Sequence, residues 1–319
     1  MQRRAFHRIA ATAAIASTLA PALAQEPQAY PNKPITIVVP YAAGGTTDVV
    51  ARALANSMGR QLKQPVVIEN KPGAAGAMGV VDMMGAKADG YRLTMTPVGI
   101  FRQPHLQPTR YDPIRDLSYI ASFVTYDFAV TVPANSPFKT IQDMIEYARS
   151  NPGKLAYGSP GVFSGNHVVG ASIEHDQRIR LNHIPYKSDS ENTNALLGGQ
   201  IESAVVANVI LPYVQSGKVR VLATTDSERN PAFGNAPTLA EAGYNVIVPS
   251  PLGLAGPAGL PKDVVAVLEK AVQAATTDPA VKGVLDNLGL RQRFMGSQQY
   301  ADFAKKTFVA EKSIVEIMK

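Results

Sequence analysis

The strongest constraint on this chain is the alternation, in its first hundred residues, of short β-rich runs with longer amphipathic stretches. Residues 34–39 read as a buried strand, and 48–62 as a helix with Val49, Leu54, Ala55 and Met58 largely on one side. A second strand follows at 65–69, a small-residue helix at 76–86 and a third strand at 91–95. The order β-α-β-α-β implies a parallel sheet with crossover helices, because parallel neighbours need a long connection between them.

A second set begins near Phe128. Residues 128–132 form a strand ending at Pro133, and 140–150 a helix that Thr140 caps and Asn151-Pro152-Gly153 stops. Leu155-Ala156-Tyr157 leads into a glycine-rich loop and a helix from about Gly165. A strand at 180–186, a helix at 191–197 and strands at 201–206 and 219–224 complete an α/β domain of ordinary size. The tail carries a short strand at 252–255 and helices at 261–276, 278–287 and 297–317. In the last helix Tyr300, Phe303, Ala304, Thr307 and Phe308 recur at helical spacing, a core-packing stripe. These helices have no sheet of their own and are expected to cover the first domain. The expected division is 1–24 as an export leader, 25–126 plus 248–319 as lobe I, and 127–247 as lobe II, with a ligand cleft between the lobes.

Two loops are candidates for that cleft. Pro40-Tyr41-Ala42-Ala43-Gly44-Gly45-Thr46-Thr47-Asp48 leaves a strand and opens a helix. Its glycines allow close backbone approach, and free amides at a helix start favour an anion. Tyr157-Gly158-Ser159-Pro160-Gly161-Val162-Phe163-Ser164-Gly165-Asn166-His167 repeats the design in the second half. His167 there is expected to hydrogen-bond its own loop. Facing each other, the two loops would hold one carboxylate or phosphate from both sides. Arg102, after the third strand, is a candidate partner for a second acidic group.

Other chemistries find little support. Neither a dinucleotide fingerprint nor a phosphate-binding lysine loop is present, and no histidine pair has metal-ligand spacing. No metal, cofactor or catalytic residue is expected. There is no cysteine, which excludes disulfides and thiolate chemistry. An exported hydrolase using Ser164 and His167 is a remote alternative, lacking a recognisable orienting acid.

The front end reads as an export signal. Arg3, Arg4 and Arg8 precede an apolar run from Ile9 to Leu19, and Ala22-Leu23-Ala24 offers a cleavage site near Ala24. That run is shorter than the roughly 20 residues a membrane span needs. Arg3-Arg4 leaves the general secretory and twin-arginine routes both open. The whole chain has 31 Lys and Arg against 25 Asp and Glu; without the leader's three arginines the balance is 28 against 25, or +3. So mild a charge argues for solubility and against a nucleic-acid partner.

Taken together, these segments resemble a known family. The chain is similar to the Bug solute receptors, periplasmic substrate-binding proteins of tripartite tricarboxylate transport systems. The resemblance spans essentially the whole mature chain. It rests on Tyr30-Pro31-Asn32-Lys33-Pro34-Ile35, the loop 40–48, Glu69-Asn70-Lys71-Pro72-Gly73-Ala74-Ala75-Gly76 and Ala88-Asp89-Gly90-Tyr91. It continues through 157–167, Pro185-Tyr186-Lys187, Leu196-Leu197-Gly198-Gly199-Gln200 and Ala236-Pro237-Thr238-Leu239-Ala240-Glu241-Ala242-Gly243. The resemblance implies a two-lobed, Venus-flytrap α/β fold that closes on an organic acid, with the two loops clasping one carboxylate, partly through ordered water.

Carried over by position, the first loop contributes Tyr41, Ala43, Gly44, Gly45, Thr46 and Asp48, and the second Ser159, Gly161, Phe163, Ser164 and His167. The far end of the ligand would meet the stretches 98–102, 187–189 and 206–208, including Val98, Arg102, Lys187, Val206 and Asn208. Two departures matter: Ser188 stands where glycine is common, and Val205-Val206-Ala207 is apolar where many members carry an acid. The expectation is therefore a non-amino carboxylate, aromatic acids included. The expected protein is a periplasmic monomer that delivers its ligand to a membrane transporter or presents itself to a membrane sensor.

Overall fold

The structure, a computed structural model, describes residues 30–318. The leader 1–24 with Arg3-Arg4 and the cleavage point near Ala24 lies outside the described residues.

The first sheet grows around β1 (Ile35–Val39), which pairs in parallel with β2 (Val66–Asn70) on one side and β3 (Arg92–Thr96) on the other. Helices α1 (Thr46–Leu62) and α2 (Ala77–Met83) make the crossovers. Ile35, Ile37, Val38 and Val39 are buried without exposure, as a parallel strand covered on both faces requires. After α3 (Gly99–Leu106), β4 (Leu117–Tyr126) carries the chain out of this half.

The second half runs β5 (Ala129–Pro133), α4 (Ile141–Ser150), β6 (Ala156–Ser159), α5 (Gly165–Gln177), β7 (Asn182–Pro185) and α6 (Asp189–Leu197). It ends with β8 (Ser203–Val206), α7 (Leu211–Gln215) and β9 (Val219–Thr224). These strands form a separate five-stranded sheet in the order β7-β6-β8-β5-β9, with β5 antiparallel to both neighbours. Local sequence explains its elements well. Thr140 caps α4 in a reciprocal capping box with Asp143, and Ile141, Met144, Ile145 and Ala148 form its buried stripe.

The return strand β10 (Ser250–Pro257) lies between β3 and β4 and is antiparallel to both. Ser250 stands opposite Tyr126 and Pro257 opposite Leu117. The chain thus leaves the first sheet and re-enters it on adjacent strands, so two lobes are joined at one double-stranded crossing. Then come α8 (Lys262–Thr276), α9 (Pro279–Asn287), β11 (Arg291–Met295) and α10 (Ser297–Ile317). α8 and α9 pack on α1, and α10 on α3 and β4. Tyr300 of the aromatic stripe is fully buried, its hydroxyl 2.8 Å from Thr96 Oγ1, while Phe303 and Phe308 pack at the edge of the same cluster.

Three elements were not expected, and two more are shorter than expected. α3 starts at a glycine and contains Pro104, which masks it locally. β4 reads Leu117-Ser118-Tyr119-Ile120-Ala121-Ser122-Phe123-Val124-Thr125-Tyr126, without the turn residues that bound the other strands. β11, Arg291-Gln292-Arg293-Phe294-Met295, gives the C-terminal helices a strand after all: it is the half-exposed edge of the first sheet, and its charges hide it while protecting that edge. The helix expected at 76–86 is shorter, Ala77–Met83, and the strand expected at 180–186 contracts to Asn182–Pro185.

Candidate functional site

A cavity lies between the sheets, at the carboxyl ends of β1, β3, β6 and β8, where open α/β sheets hold ligands. Lobe I lines it with Tyr41, Gly45, Thr46 and Thr47 after β1, and with Pro97, Val98 and Gly99 after β3. Lobe II contributes Pro160, Gly165, Asn166, Asp189 and Ala207, and the crossing adds Tyr126, Phe128 and Ser250. The first turns of α1, α3, α5 and α6 all reach this space, so the positive ends of four helix dipoles converge on it. The space open to the centre of a water-sized sphere is ≈ 20 Å³, about what one water needs. The lobes are drawn together.

The first loop keeps its amides available. Gly45 occupies the N-cap of α1 with no side chain to cap it, and no described residue accepts from the backbone amides of Thr46 and Thr47. Asp48 turns back and braces the loop. Its Oδ2 accepts from the Gly44 amide and from Arg52 Nε, each at 2.9 Å, and its Oδ1 from Asn70 Nδ2 at 2.8 Å. Burial alone would raise the Asp48 pKa, but these hydrogen bonds outweigh it and hold it below the usual carboxylate value. The loop also reaches lobe II: Thr46 Oγ1 accepts from the Val209 amide at 2.9 Å, and the Ala42 amide donates to the Lys187 carbonyl at 3.3 Å.

The second loop is internally satisfied. Ser164 caps α5, its Oγ accepting from the His167 amide at 3.1 Å. His167 Nδ1 accepts from the Phe163 amide at 2.9 Å, which fixes the left-handed turn at Phe163 (φ 65°) and places the ring proton on Nε2. The His167 ring stacks on His183, centroids 4.0 Å apart. Ser159 Oγ donates to the Gly161 carbonyl at 3.1 Å and sits 2.7 Å from His183 Nε2. Burial, then the neighbouring His183 and Arg102, push the His167 pKa down to about 3; burial pushes His183 down to about 4. Both rings are neutral at pH 7. Ser164 and His167, the pair named for a hydrolase, meet through the His167 backbone amide, and the ring's Nδ1 is taken by the Phe163 amide.

Other expected residues fall in different places. Arg102 is committed elsewhere: Nε and Nη2 engage both oxygens of Glu311 at 2.7 and 2.9 Å, and Nη1 donates to the Phe163 carbonyl at 2.8 Å. It ties lobe I to the second loop, and its charge is paired with Glu311 instead of waiting for a ligand's second acid. Val206 is buried inside β8 and Ala43 is exposed on the loop surface, and neither lines the cavity. Asn208 is buried, with Nδ2 3.3 Å from the Gly289 carbonyl. Gly44, at φ 83°, faces Ser190 of lobe II. Lys187, Gly161 and Phe163 line a second cavity of ≈ 490 Å³, which shares Tyr41 and Pro160 with the first.

The residue that the sequence argument undervalued is Asp189. It lies within the stretch expected to meet the far end of a ligand, whereas the expectation of a non-amino acid rests on apolar Val205-Val206-Ala207. In the fold the Ala207 amide donates to Asp189 Oδ1 at 3.1 Å, so the acid stands beside that segment. Asn166, also missed, donates to the same oxygen from Nδ2 at 3.4 Å. Burial pushes Asp189 up to about 7, against the Ala207 hydrogen bond. The available signal was positional: both residues sit in the first turn of a helix that follows a strand's carboxyl end.

Two α/β lobes closing on a cavity walled by helix N-termini are the hallmark of two-lobed solute-binding receptors. Comparison narrows the class, since the model of the tripartite tricarboxylate transporter family receptors matches residues 50–319. The chain belongs to that family. It is 40% identical to a Cupriavidus necator protein described as "UPF0065 protein in gbd 5'region", over 99% of this chain and 98% of that one. It superposes on the periplasmic binding protein BugD with a TM-score of 0.86 at 30% identity, covering 90% of this chain and 98% of that chain. The Rhodopseudomonas palustris protein MatC, solved with bound malate, gives a TM-score of 0.84 at 26% identity, covering 90% and 100%. The protein is a solute-binding receptor of Bug type, from a family of periplasmic proteins that serve transporters.

Proposed function

We propose that this receptor captures a small organic carboxylate between its lobes and delivers it to a membrane transporter. The observation that carries this reading is the approach of the α1 and α5 N-termini from opposite lobes, which bring Thr46, Thr47, Gly165 and Asn166 to one cavity. A carboxylate there accepts hydrogen bonds from both halves at once and so stabilises the closed form over the open one. Malate in the related MatC supports the class of ligand. The expectation of a non-amino ligand is not retained, because Asp189 supplies beside Ala207 the acid that Val205-Val206-Ala207 lacks.

We also assign lobe I to 25–126 plus 248–319 and lobe II to 127–247, on the pairing of β4 with β10, and read the receptor as a monomer. The leader 1–24 would be removed near Ala24, so Gln25 should head the mature protein in terminal sequencing. The ligand reading is tested by thermal-shift and calorimetric titration of the purified mature protein with C4–C6 dicarboxylates, their amino and hydroxy derivatives, and aromatic acids. A bound acid at a hundred times its Kd adds about 2.7 kcal/mol of stability, several degrees in melting temperature. No shift with any member of the panel would sink the carboxylate reading.

A further inference from the structure

Asp189 is a buried acid with no counter-ion. Only 8% of the residue is exposed, and it lines the inter-lobe cavity. Oδ1 is held by the Ala207 amide at the end of β8 and by Asn166 Nδ2 in the first turn of α5. Asn166 Nδ2 also donates to the Val205 carbonyl at 3.1 Å, which fixes the group that fixes Asp189. Oδ2 accepts from none of the described residues, and no lysine, arginine or histidine forms an ion pair with this carboxylate among them. Arg102, the buried arginine of α3, spends its charge on Glu311 and also donates to the Phe163 carbonyl.

Such a group is out of place in a site built only to hold negative charge. A plain carboxylate drawn to the helix N-termini would share the cavity with a second carboxyl group, and the two would repel unless one took up a proton. An ionised buried carboxylate instead calls for a cation. No residue supplies one. A ligand that carries its own positive charge next to its carboxylate satisfies both needs, negative end to the α1 and α5 amides and positive end to Oδ2.

Resting on the carboxylate-receptor reading above, we infer that Asp189 determines specificity by accepting the ammonium group of an amino-carboxylate ligand. Its position suits that role. Asp189 begins α6 directly across the cleft from Gly45, where a Cβ on Gly45 would lie 3.6 Å from the Asp189 backbone nitrogen. A ligand lying against the first loop therefore has this carboxylate at its flank. That burial already pushes Asp189 up to about 7 is what an acid waiting for a cation should do.

The test uses matched series that differ only at the carbon beside the carboxylate. Aspartate, malate and succinate form one; glutamate, 2-hydroxyglutarate and glutarate another; phenylalanine, 3-phenyllactate and 3-phenylpropionate a third. Calorimetry on the mature wild-type receptor at pH 7.5 should find, in the best-bound series, the amino member at least tenfold tighter than the unsubstituted one, with the hydroxy member between. Asp189→Asn keeps the shape and an acceptor for the Ala207 amide, and should reduce that preference to less than threefold. If the unsubstituted acid binds wild type as tightly as its amino counterpart, the inference is overturned while the carboxylate reading stands. An amino preference that persists in a folded Asp189→Asn variant overturns it equally. Binding of none of the nine acids overturns the inference, and the carboxylate reading falls with it only if the wider panel above also gives no shift. The wild-type comparison needs no variant to fold.

Discussion

The two glycine-rich loops look alike as sequence and differ as structures. Each leaves a strand, turns tightly and opens a helix at the same cavity. The first puts Gly45 at the N-cap of α1 and leaves the amides of Thr46 and Thr47 without a partner among the described residues. The second caps α5 with Ser164, satisfies Phe163 with His167, and keeps a neutral, stacked histidine pair beneath it. The difference assigns unequal work. The first loop is open to a ligand and is braced from behind by Asp48, whereas the second is a rigid wall offering only the start of α5. Each also grips the opposite lobe: Thr46 takes the Val209 amide, and the Phe163 carbonyl takes Arg102. Closure is written into both loops, and ligand capture chiefly into one.

The largest expected effect falls on the second loop's tether. Arg102 is 1% exposed and Glu311 7% in side-chain terms. Burial outweighs the attraction of Arg102 and leaves the Glu311 pKa above its usual value, so the pair is poorly solvated. Arg102→Met strands a buried carboxylate and should cost about 3–5 kcal/mol in denaturant unfolding. Arg102→Met with Glu311→Leu should recover most of that loss, since an apolar pair can replace a buried ion pair. A single variant as stable as wild type would return Arg102 to the list of ligand groups.

Next comes the open loop. A Cβ on Gly45 would sit 3.5 Å from Ser188 Cβ, so alanine fits but a ring does not. Gly45→Phe should hold the lobes apart and weaken binding at least a hundredfold, about 2.7 kcal/mol, with little change in melting temperature. Retained affinity would mean the first loop is not the capturing one.

Smaller effects sharpen the contrast in capping. Ser164→Ala removes the cap of α5 and should cost about 1 kcal/mol of stability. Thr46→Val removes an inter-lobe hydrogen bond and should cost about 1 kcal/mol of closure. The first change should read out in melting temperature and the second in ligand affinity. The reverse pattern would erase the distinction drawn between the loops.

How much of this was legible beforehand follows from how far each signal reaches along the chain. The loops announced themselves because glycine pairs, a preceding apolar strand and a following helix are local. Thr140 as a cap and Tyr300 as a core residue were legible for the same reason. The fate of Arg102 was not, because its partner lies 209 residues away and nothing local distinguishes a tether from a ligand group. Asp189 was hidden by a different mechanism. The neighbourhood of Val206 was judged by its own three residues, while the fold fills it with a carboxylate 18 positions earlier. The passage from one α/β set to the next was expected from the order of strands and helices, a local signal, whereas β4 and β10 meet there by pairing across more than 120 residues.

The last contrast is in acid sensitivity. Unfolded histidines protonate near 6.5, whereas His167 and His183 in the folded second loop resist until about 3 and about 4. Between 6.5 and those values the unfolded chain holds more protons than the folded one, so the stability they contribute is complete above 6.5 and shrinks as pH falls. In the first loop Asp48 is held below its usual 3.8, so its contribution persists to lower pH and is lost only as that carboxylate protonates. Acid should therefore weaken the second loop first. Asp189, raised to about 7, and Asp127, raised to about 6, act in the opposite sense, because the folded chain binds their protons first. The slope of the wild type alone thus mixes both signs, and the informative quantity is a difference. His167→Gln keeps an acceptor for the Phe163 amide but cannot titrate. Plotted against pH, its unfolding free energy should fall less steeply than that of wild type between 6.5 and 4, and the two curves should run parallel above 7. Parallel curves throughout would mean that His167 is already solvated in the folded protein, and the second loop would then be no more closed than the first.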